Sequence, residues 1–209
     1  KYKKRLNNFI RHDINLDVPF VYFPLHFQPE KTTSNWGGIY NDQVLALERL
    51  STAIPPDWKI YIKENPKQNG YMRGKWFFER LKSIPNLIMV PIDMNTYELL
   101  DKSQFVATVT GTAGWEAITG GKNALIFGWG VWYKSLPGVF QYEEGMDVTK
   151  ILNNKIDHSQ LEKRFGDLYA LMADGVIYRG YETMIPGFDT RDNIKTVIRS
   201  LTRIIYQQD

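Results

Sequence analysis

Short apolar runs alternate along the chain with segments in which apolar residues recur at helical spacing. The runs predict five strands, at positions 19–24, 58–63, 87–90, 105–109 and 124–127. The helical spacing predicts helices at 43–54, 74–84, 95–100, 148–153, 158–173 and 191–206, with a short one ending at 118. Asn41 or Asp42 is the expected N-cap of the first, and Asn95 that of the third. Alternating strands and helices are typical of βαβ units around a parallel sheet. We therefore expect the α/β class, with a Rossmann-like parallel sheet and flanking helices.

The same pattern divides the chain into three parts. Residues 1–17 are predicted as an N-terminal helix or linker, 18–157 as the Rossmann-like domain, and 158–209 as C-terminal helices that pack on it. The segment 128–145 is rich in glycine and aromatic residues and is predicted to be irregular. The opening Lys1-Tyr2-Lys3-Lys4-Arg5-Leu6 is typical of the middle of a helix, so we expect the chain to be part of a longer protein.

Composition excludes several classes of function. The net charge of +3 is too small to favour a nucleic-acid-binding protein. With no cysteine, the chain has neither disulfides nor thiolate metal sites, and no metal-binding cluster of Asp or His is predicted. No apolar run approaches the roughly 18 residues that cross a bilayer, which fits a cytoplasmic location. The basic opening at Lys1–Arg5 is either a solvated helix or a strip near anionic membrane lipids.

The segment 109–117, Val-Thr-Gly-Thr-Ala-Gly-Trp-Glu-Ala, passes from a strand through a turn of small residues into a helix. Such a turn lets a phosphate approach the first backbone N–H groups, where the helix dipole favours an anion. Thr110 and Thr112 add hydroxyl donors, and Glu116 is close enough to accept hydrogen bonds from ribose. The alternative is a tight turn in which glycine serves packing alone.

Two further loops follow predicted strands, where ligands of open α/β sheets bind. The first, 25–33, offers an imidazole, an amide, a carboxylate and hydroxyls; the alternative is a polar surface loop. The second contains Lys63 and Asn65-Pro66, which is alternatively a simple turn. Arg73 is a candidate contact for an anionic group because its fork suits planar anions, although a solvated surface position is the plainer interpretation. The aromatic segment 127–133 suits either sugar stacking or an inter-domain interface.

Together these motifs resemble the donor-binding domain of GT-B glycosyltransferases. The segment 110–117 with the following Gly-Lys-Asn-Ala-Leu-Ile-Phe-Gly, the segment 22–30 and Lys63-Glu64-Asn65-Pro66 are similar to the capsule polysaccharide biosynthesis family, which includes transferases of the sugar acid Kdo. The resemblance covers roughly positions 18–145. It implies that the chain is one half of a GT-B architecture, whose other Rossmann-like domain lies N-terminal to it in the same protein.

The resemblance also assigns roles to residues. It implies donor binding by Thr110, Gly111, Thr112, Ala113 and Glu116, with Lys63 and Asn65 nearby, and it places Gln28 and Glu30 as catalytic residues that face the reacting sugar. The family usually has a His where this chain has Asn65, and an asparagine carries no positive charge. Lys63 or Lys67 would then supply the positive charge that balances the donor phosphate. GT-B enzymes generally use no bound metal.

The implied substrates are a nucleotide sugar, with CMP-Kdo as one candidate, and a glycan or glycolipid acceptor. The implied place is the cytoplasm, with peripheral contact to the inner membrane as an option. Two alternatives stay open: an enzyme like the sugar-nucleotide 2-epimerases, and a non-catalytic module of polysaccharide assembly. The resemblance favours the transferase.

Overall fold

The computed structural model describes residues 1–177 and 180–206. Its centre is a sheet of six parallel strands in the order β3-β2-β1-β4-β5-β6. The strands are β1 (Phe20–Pro24), β2 (Lys59–Lys63), β3 (Leu87–Met89), β4 (Val106–Thr108), β5 (Ala124–Ile126) and β6 (Val139–Gln141). This is the strand order of the Rossmann fold, so the predicted fold class is confirmed.

Helices follow most of the strands. They are α1 (Tyr2–Phe9), α2 (Lys31–Ser34), α3 (Gln43–Ala53), α4 (Lys75–Lys82), α5 (Thr96–Lys102), α6 (Ala113–Thr119), α7 (Thr149–Asn153), α8 (His158–Leu171), α9 (Tyr181–Met184) and α10 (Thr190–Tyr206). Asp42 caps α3 by accepting from the backbone N–H groups of Val44 and Leu45, and Asn95 caps α5 in the same way through Tyr97. Both caps agree with the sequence prediction. No helix in the described ranges is long and apolar enough to cross a membrane.

The sixth strand corrects the sequence analysis, which predicted five strands and an irregular segment at 128–145. β6 has only three residues, all half-buried, and lies at the edge of the sheet beside β5. Gly138 directly before it has a φ of 84°, a left-handed turn that needs glycine. A strand this short, flanked by glycine and aromatic residues, gives too little alternation to be recognised from the sequence.

The strand order creates a switch point between β1 and β4. The chain leaves β1 to build the β2–β3 side and then returns to build the β4–β6 side. Loops after β1 and β4 therefore diverge and leave a crevice at the carboxyl ends of these two strands, where ligands of this fold bind. The loop after β1 contains α2 and a 3₁₀ turn at Gly38–Asn41, neither of which the sequence analysis predicted.

The chain divides into two compact units, Lys1–Leu161 and Glu162–Asp209. The first contains the sheet, its apolar core and α1–α7. In the second, Asn193 of α10 exchanges hydrogen bonds with the backbone of Val176 at 2.8 Å. The predicted packing of residues 158–209 on the sheet domain stays a prediction, and positions 178, 179 and 207–209 of that segment lie outside the described residues.

Candidate functional site

A cavity of about 300 Å³ opens at the switch point of the sheet. Three segments line it: residues 24–27 with Glu30 and Thr32 after β1, Asn65 after β2, and Thr108 with residues 110–113 at the end of β4. Sequence analysis had singled out all three segments. The fold brings them together because parallel strands end at the same edge of the sheet. We call this space the switch-point cavity.

His26 forms part of the wall of this cavity and is held from both ring nitrogens. Nε2 lies 2.8 Å from the Thr108 hydroxyl oxygen, and Nδ1 lies 3.1 Å from that of Thr33. Burial, and then the positive charge of Arg73, lower the pKa of His26 to about 4. The imidazole is therefore uncharged near neutral pH, and because both of its nitrogens are engaged, it shapes the cavity wall without offering a cation to a ligand.

The turn at 110–114 has no room for larger residues. A Cβ atom at Gly111 would lie 2.9 Å from the His26 ring, and one at Gly114 would overlap the Tyr133 hydroxyl. The Gly111 N–H donates to the Thr108 hydroxyl at 3.1 Å, and the buried Tyr133 donates its O–H to the Gly111 carbonyl. The turn is thus fixed from both sides.

The first turn of α6 keeps unused hydrogen-bond donors at the cavity. In the described part of the chain, no acceptor lies within hydrogen-bonding distance of the backbone N–H groups of Thr112 and Ala113. The hydroxyl of Thr110 is already engaged, since it donates to the Thr32 carbonyl at 3.1 Å. This geometry suits an anionic ligand that accepts from backbone N–H groups.

Glu116 lies one turn into α6, and its carboxylate accepts from the Thr112 hydroxyl at 3.4 Å. It is half-buried, and its negative charge affects the pKa of two buried tyrosines. Burial first, and then the negative charge of Glu116, raise the pKa of Tyr133. Burial and the same charge also raise the pKa of Tyr22, against a lowering hydrogen bond with Thr96. Glu116 itself is not among the residues that line the switch-point cavity.

Arg73 corrects the sequence analysis, which took it for a solvated residue or an anion contact. Its side chain is fully buried and pairs with the equally buried Glu64 through Nε at 2.9 Å. Its other nitrogens donate to the Gln28 side-chain oxygen and to the His26 carbonyl, both at 3.0 Å. Its guanidinium also lies 4.4 Å from the ring centroid of Phe77. These partners hold the guanidinium outside the switch-point cavity, so Arg73 does not contact a ligand in that cavity.

Gln28 is corrected for the same reason. Its side-chain nitrogen donates to the Asn41 carbonyl at 2.7 Å, and its side-chain oxygen accepts from Gln43 at 2.6 Å as well as from Arg73. Its backbone exchanges two hydrogen bonds with Gln68. The side chain is buried and turned inward, so Gln28 shapes the loop rather than facing a reacting sugar.

Glu30 and Asn65 line the cavity, whereas Lys63 does not. Glu30 is exposed at the rim. Asn65 accepts from the Lys67 N–H at 3.0 Å, as an Asn-Pro turn does. The Lys63 ammonium donates to the Met94 carbonyl and the Thr96 hydroxyl, each at 2.6 Å. Partial burial lowers the pKa of Lys63, against the effect of Asp93.

Four residues of the site were not chosen from the sequence. They are His26, Thr33, Thr108 and Tyr133. His26 belonged to a recognised motif, and its position after β1 was the available signal. Thr33 lies in the same loop, and Tyr133 lies in the aromatic segment 127–133. Thr108 gave no signal, because its contact with His26 joins residues 82 positions apart in the chain. Burial varies along the aromatic segment 127–133: Trp129 is exposed, whereas Phe127 and Tyr133 are buried.

The buried Arg73–Glu64 pair generates a test of stability. Replacement of Arg73 by Met leaves the Glu64 carboxylate buried without its main partner, so we expect a loss of about 3–5 kcal/mol in the free energy of unfolding. The double variant Arg73→Met/Glu64→Gln removes that charge and should be more stable than Arg73→Met alone. Urea unfolding of the three proteins measures this.

The matched control is Arg49→Met, because Arg49 pairs with Glu144 at the same distance of 2.9 Å but in solvent. Its expected loss is below about 1 kcal/mol. Equal losses of unfolding free energy for Arg73→Met and Arg49→Met would show that the buried pair stabilises the protein no more than the exposed pair does.

His26 generates a test of pH dependence. Its pKa is about 4 in the folded protein, whereas a histidine in an unfolded chain titrates near about 6.5. Between these values the unfolded state binds the proton more strongly, so the free energy of unfolding falls as the pH is lowered from about 6.5 to about 4. The contribution of His26 to this fall is at most about 3 kcal/mol.

Urea unfolding along this pH range should show a shallower fall for His26→Gln than for the wild type. The control His12→Gln, at an exposed histidine, should keep the wild-type slope. A His26→Gln slope identical to that of the wild type contradicts the assignment of a neutral, buried His26.

Comparisons with known proteins agree with this architecture. Among solved structures, the chain is similar to KpsC of Thermosulfurimonas dismutans, a beta Kdo 2,7 transferase, with 17% identity and a TM-score of 0.50 over 76% of this chain and 48% of that one. It is also similar to the UDP-GlcNAc 2-epimerase from Methanocaldococcus jannaschii, with 13% identity and a TM-score of 0.49 over 81% and 49% of the two chains. The chain thus spans about half the length of these structures. No curated protein matches it.

The family assignment comes from the sequence between the first strand and α7. The family model described as capsule polysaccharide biosynthesis protein matches residues 20–152. This range is more than half of the chain and contains every residue that lines the switch-point cavity. The chain therefore belongs to the capsule polysaccharide biosynthesis protein family.

Proposed function

We propose that the chain is the nucleotide-sugar-binding half of a GT-B glycosyltransferase that builds a bacterial capsule or surface polysaccharide. One observation carries the proposal: a cavity at the switch point of a Rossmann-like sheet, walled by the turn 110–113 with its unused backbone donors. The donor is a nucleotide sugar, for which CMP-Kdo is our candidate, and the acceptor is a glycan or glycolipid. A second Rossmann-like domain of the same protein closes the cleft.

The turn is the proposed site of the donor phosphate. A phosphate oxygen accepts from the N–H groups of Thr112 and Ala113, while the absence of a side chain at Gly111 leaves the backbone accessible. In glycosyl transfer, negative charge grows on the departing phosphate, and fixed backbone donors stabilise it as it grows. His26 is neutral here and both of its ring nitrogens are engaged, so it contributes shape to the site rather than positive charge.

Two carboxylates, Glu116 on α6 and Glu30 in the loop after β1, have different proposed roles. Glu116 accepts hydrogen bonds from the ribose hydroxyls of the donor, since it lies beyond the phosphate along α6. Glu30 is exposed at the rim of the cavity and faces the space where donor sugar and acceptor meet. It is our candidate for the catalytic carboxylate of this half. We place the protein in the cytoplasm, in peripheral contact with the inner membrane.

The test is a calorimetric titration with CMP, UDP and GDP. We expect one of the three to bind, and we expect Glu116→Ala to weaken that binding about 10-fold or more, because hydrogen bonds to a charged group contribute about 1.5–3 kcal/mol. The matched control is Glu98→Ala, since Glu98 is an exposed carboxylate in the first turn of the neighbouring helix α5. It should bind as the wild type does.

The same titration separates an enzyme from a non-catalytic module, and an assay of nucleotide-sugar turnover without an acceptor separates the two enzymes. A transferase and a 2-epimerase both bind a nucleotide, and only the epimerase turns over a nucleotide sugar in the absence of an acceptor. A non-catalytic assembly module binds none of the three nucleotides. The donor-site proposal fails if the folded protein binds none of them, or if Glu98→Ala weakens binding as much as Glu116→Ala.

A further inference from the structure

Positive charge is concentrated on α1 and α4. Residues 1–11 include five basic residues and no acidic one, whereas the whole chain has a net charge of only +3. α4 adds Lys75 and Lys82, which are both exposed. Because α1 packs on α4, through contacts such as that between Phe9 and Phe78, these charges belong to one surface. We call it the α1–α4 surface.

Most of these cations have no partner within the protein. In the described residues, no carboxylate lies within 4.0 Å of Lys1, Lys3, Lys4, Arg5 or Lys75. Lys82 forms an exposed ion pair with Glu79, with 3.4 Å between the ammonium nitrogen and the carboxylate oxygen. Arg80 of the same helix differs, because Asp42 and Glu48 neutralise it. The surface therefore presents charge that is free to attract anions.

A groove runs between the two helices, with a volume of about 390 Å³. Cations border it at Arg5, Lys75 and Lys82, and the rings of Phe9 and Phe78 contribute to its walls. Large apolar side chains stand in solvent at the beginning of α4, where Trp76 is 74% exposed and Tyr71 61% exposed. The segment that carries Tyr71 adjoins α1, since Gly70 lies against Tyr2.

We propose that the α1–α4 surface docks on an anionic phospholipid membrane. Phosphate headgroups enter the groove and meet Arg5, Lys75 and Lys82, while Lys3 and Lys4 face the surrounding lipid charge. Trp76 and Tyr71 lie at the level of the headgroups, where aromatic side chains are favoured because one part of the ring system is apolar and another is polar.

The combination of residues favours a membrane over a nucleic acid. Each Lys or Arg near an anionic bilayer adds to the attraction, and exposed aromatic residues add an apolar contribution that charge alone does not supply. A nucleic acid needs cations that follow its backbone, and exposed Trp and Tyr contribute to its binding only where unpaired bases stack on them. The experiment below distinguishes these outcomes.

This docking extends the proposed function by naming the surface that contacts the membrane. α4 begins after β2, so its exposed aromatic residues lie at the same edge of the sheet as the switch-point cavity. If the proposed function holds, a glycolipid acceptor embedded in that membrane is presented near the cavity. Vesicle binding does not require a nucleotide, so it can succeed or fail independently of the titration described above.

The experiment is co-sedimentation of the protein with vesicles. We expect binding to vesicles made of equal parts phosphatidylglycerol and phosphatidylcholine in about 50 mM NaCl, and its loss in about 500 mM NaCl, because salt screens exposed charges. Vesicles of phosphatidylcholine alone should not bind. The variant Lys4→Glu/Lys75→Glu should bind the anionic vesicles about 10-fold or more weakly.

The matched control is Lys150→Glu/Lys155→Glu. It changes the net charge equally, but both lysines are exposed at or just after α7, on the β5–β6 side of the sheet. It should retain vesicle binding. A second variant, Trp76→Ser, should weaken binding to vesicles but not to inorganic polyphosphate, which offers phosphate charge without an apolar layer.

Three results would overturn the proposal. The first is a wild type found only in the supernatant with anionic vesicles in low salt. The second is an equal loss of binding in the two double variants, which would indicate an unspecific effect of net charge. The third is binding of a single-stranded oligonucleotide in low salt without binding of vesicles, which would identify the surface as a nucleic-acid site instead.

Discussion

The buried ion pair between Arg73 and Glu64 is the interaction on which the site depends. Both side chains are shielded from water, and the pair joins the loop after β1 to the loop after β2. Removing two charges from water is costly, and here further hydrogen bonds to Gln28, His26 and Asn65 offset the cost. These bonds fix the His26 carbonyl and the Gln28 side chain, so the wall of the cavity keeps one shape.

The same arginine sets the electrostatics of the cavity. Its charge lies behind His26 and, together with burial, keeps the imidazole neutral. No side-chain cation lies among the residues that line the cavity. Under the proposed function, the positive contribution to phosphate binding comes from the backbone N–H groups and the helix dipole of α6. These donors do not depend on the side chain at position 65, which is how the proposal accommodates Asn65 where the resemblance implies a histidine.

Local signals made much of the fold predictable from the sequence. Five strands were visible as apolar runs, and Asp42 and Asn95 were recognisable caps because capping involves residues two or three positions apart. Glu30, Asn65 and the turn 110–113 were found because they follow strands directly. Arg73 and Gln28 were misplaced because their burial depends on partners 45 positions apart in the chain. The contacts of Lys63 were missed for the same reason, since its partners are Met94 before α5 and Thr96 at the start of α5, 31 and 33 positions away.

The most direct test of the central claim is a crystal structure of the protein with its bound nucleotide. The account predicts a phosphate oxygen within about 3.2 Å of the backbone nitrogens of Thr112 and Ala113, with the ribose hydroxyls at Glu116. A nucleotide bound in the cavity in the opposite direction would contradict the roles given to the turn and to Glu116. A nucleotide bound away from the carboxyl ends of β1 and β4 would contradict the site itself.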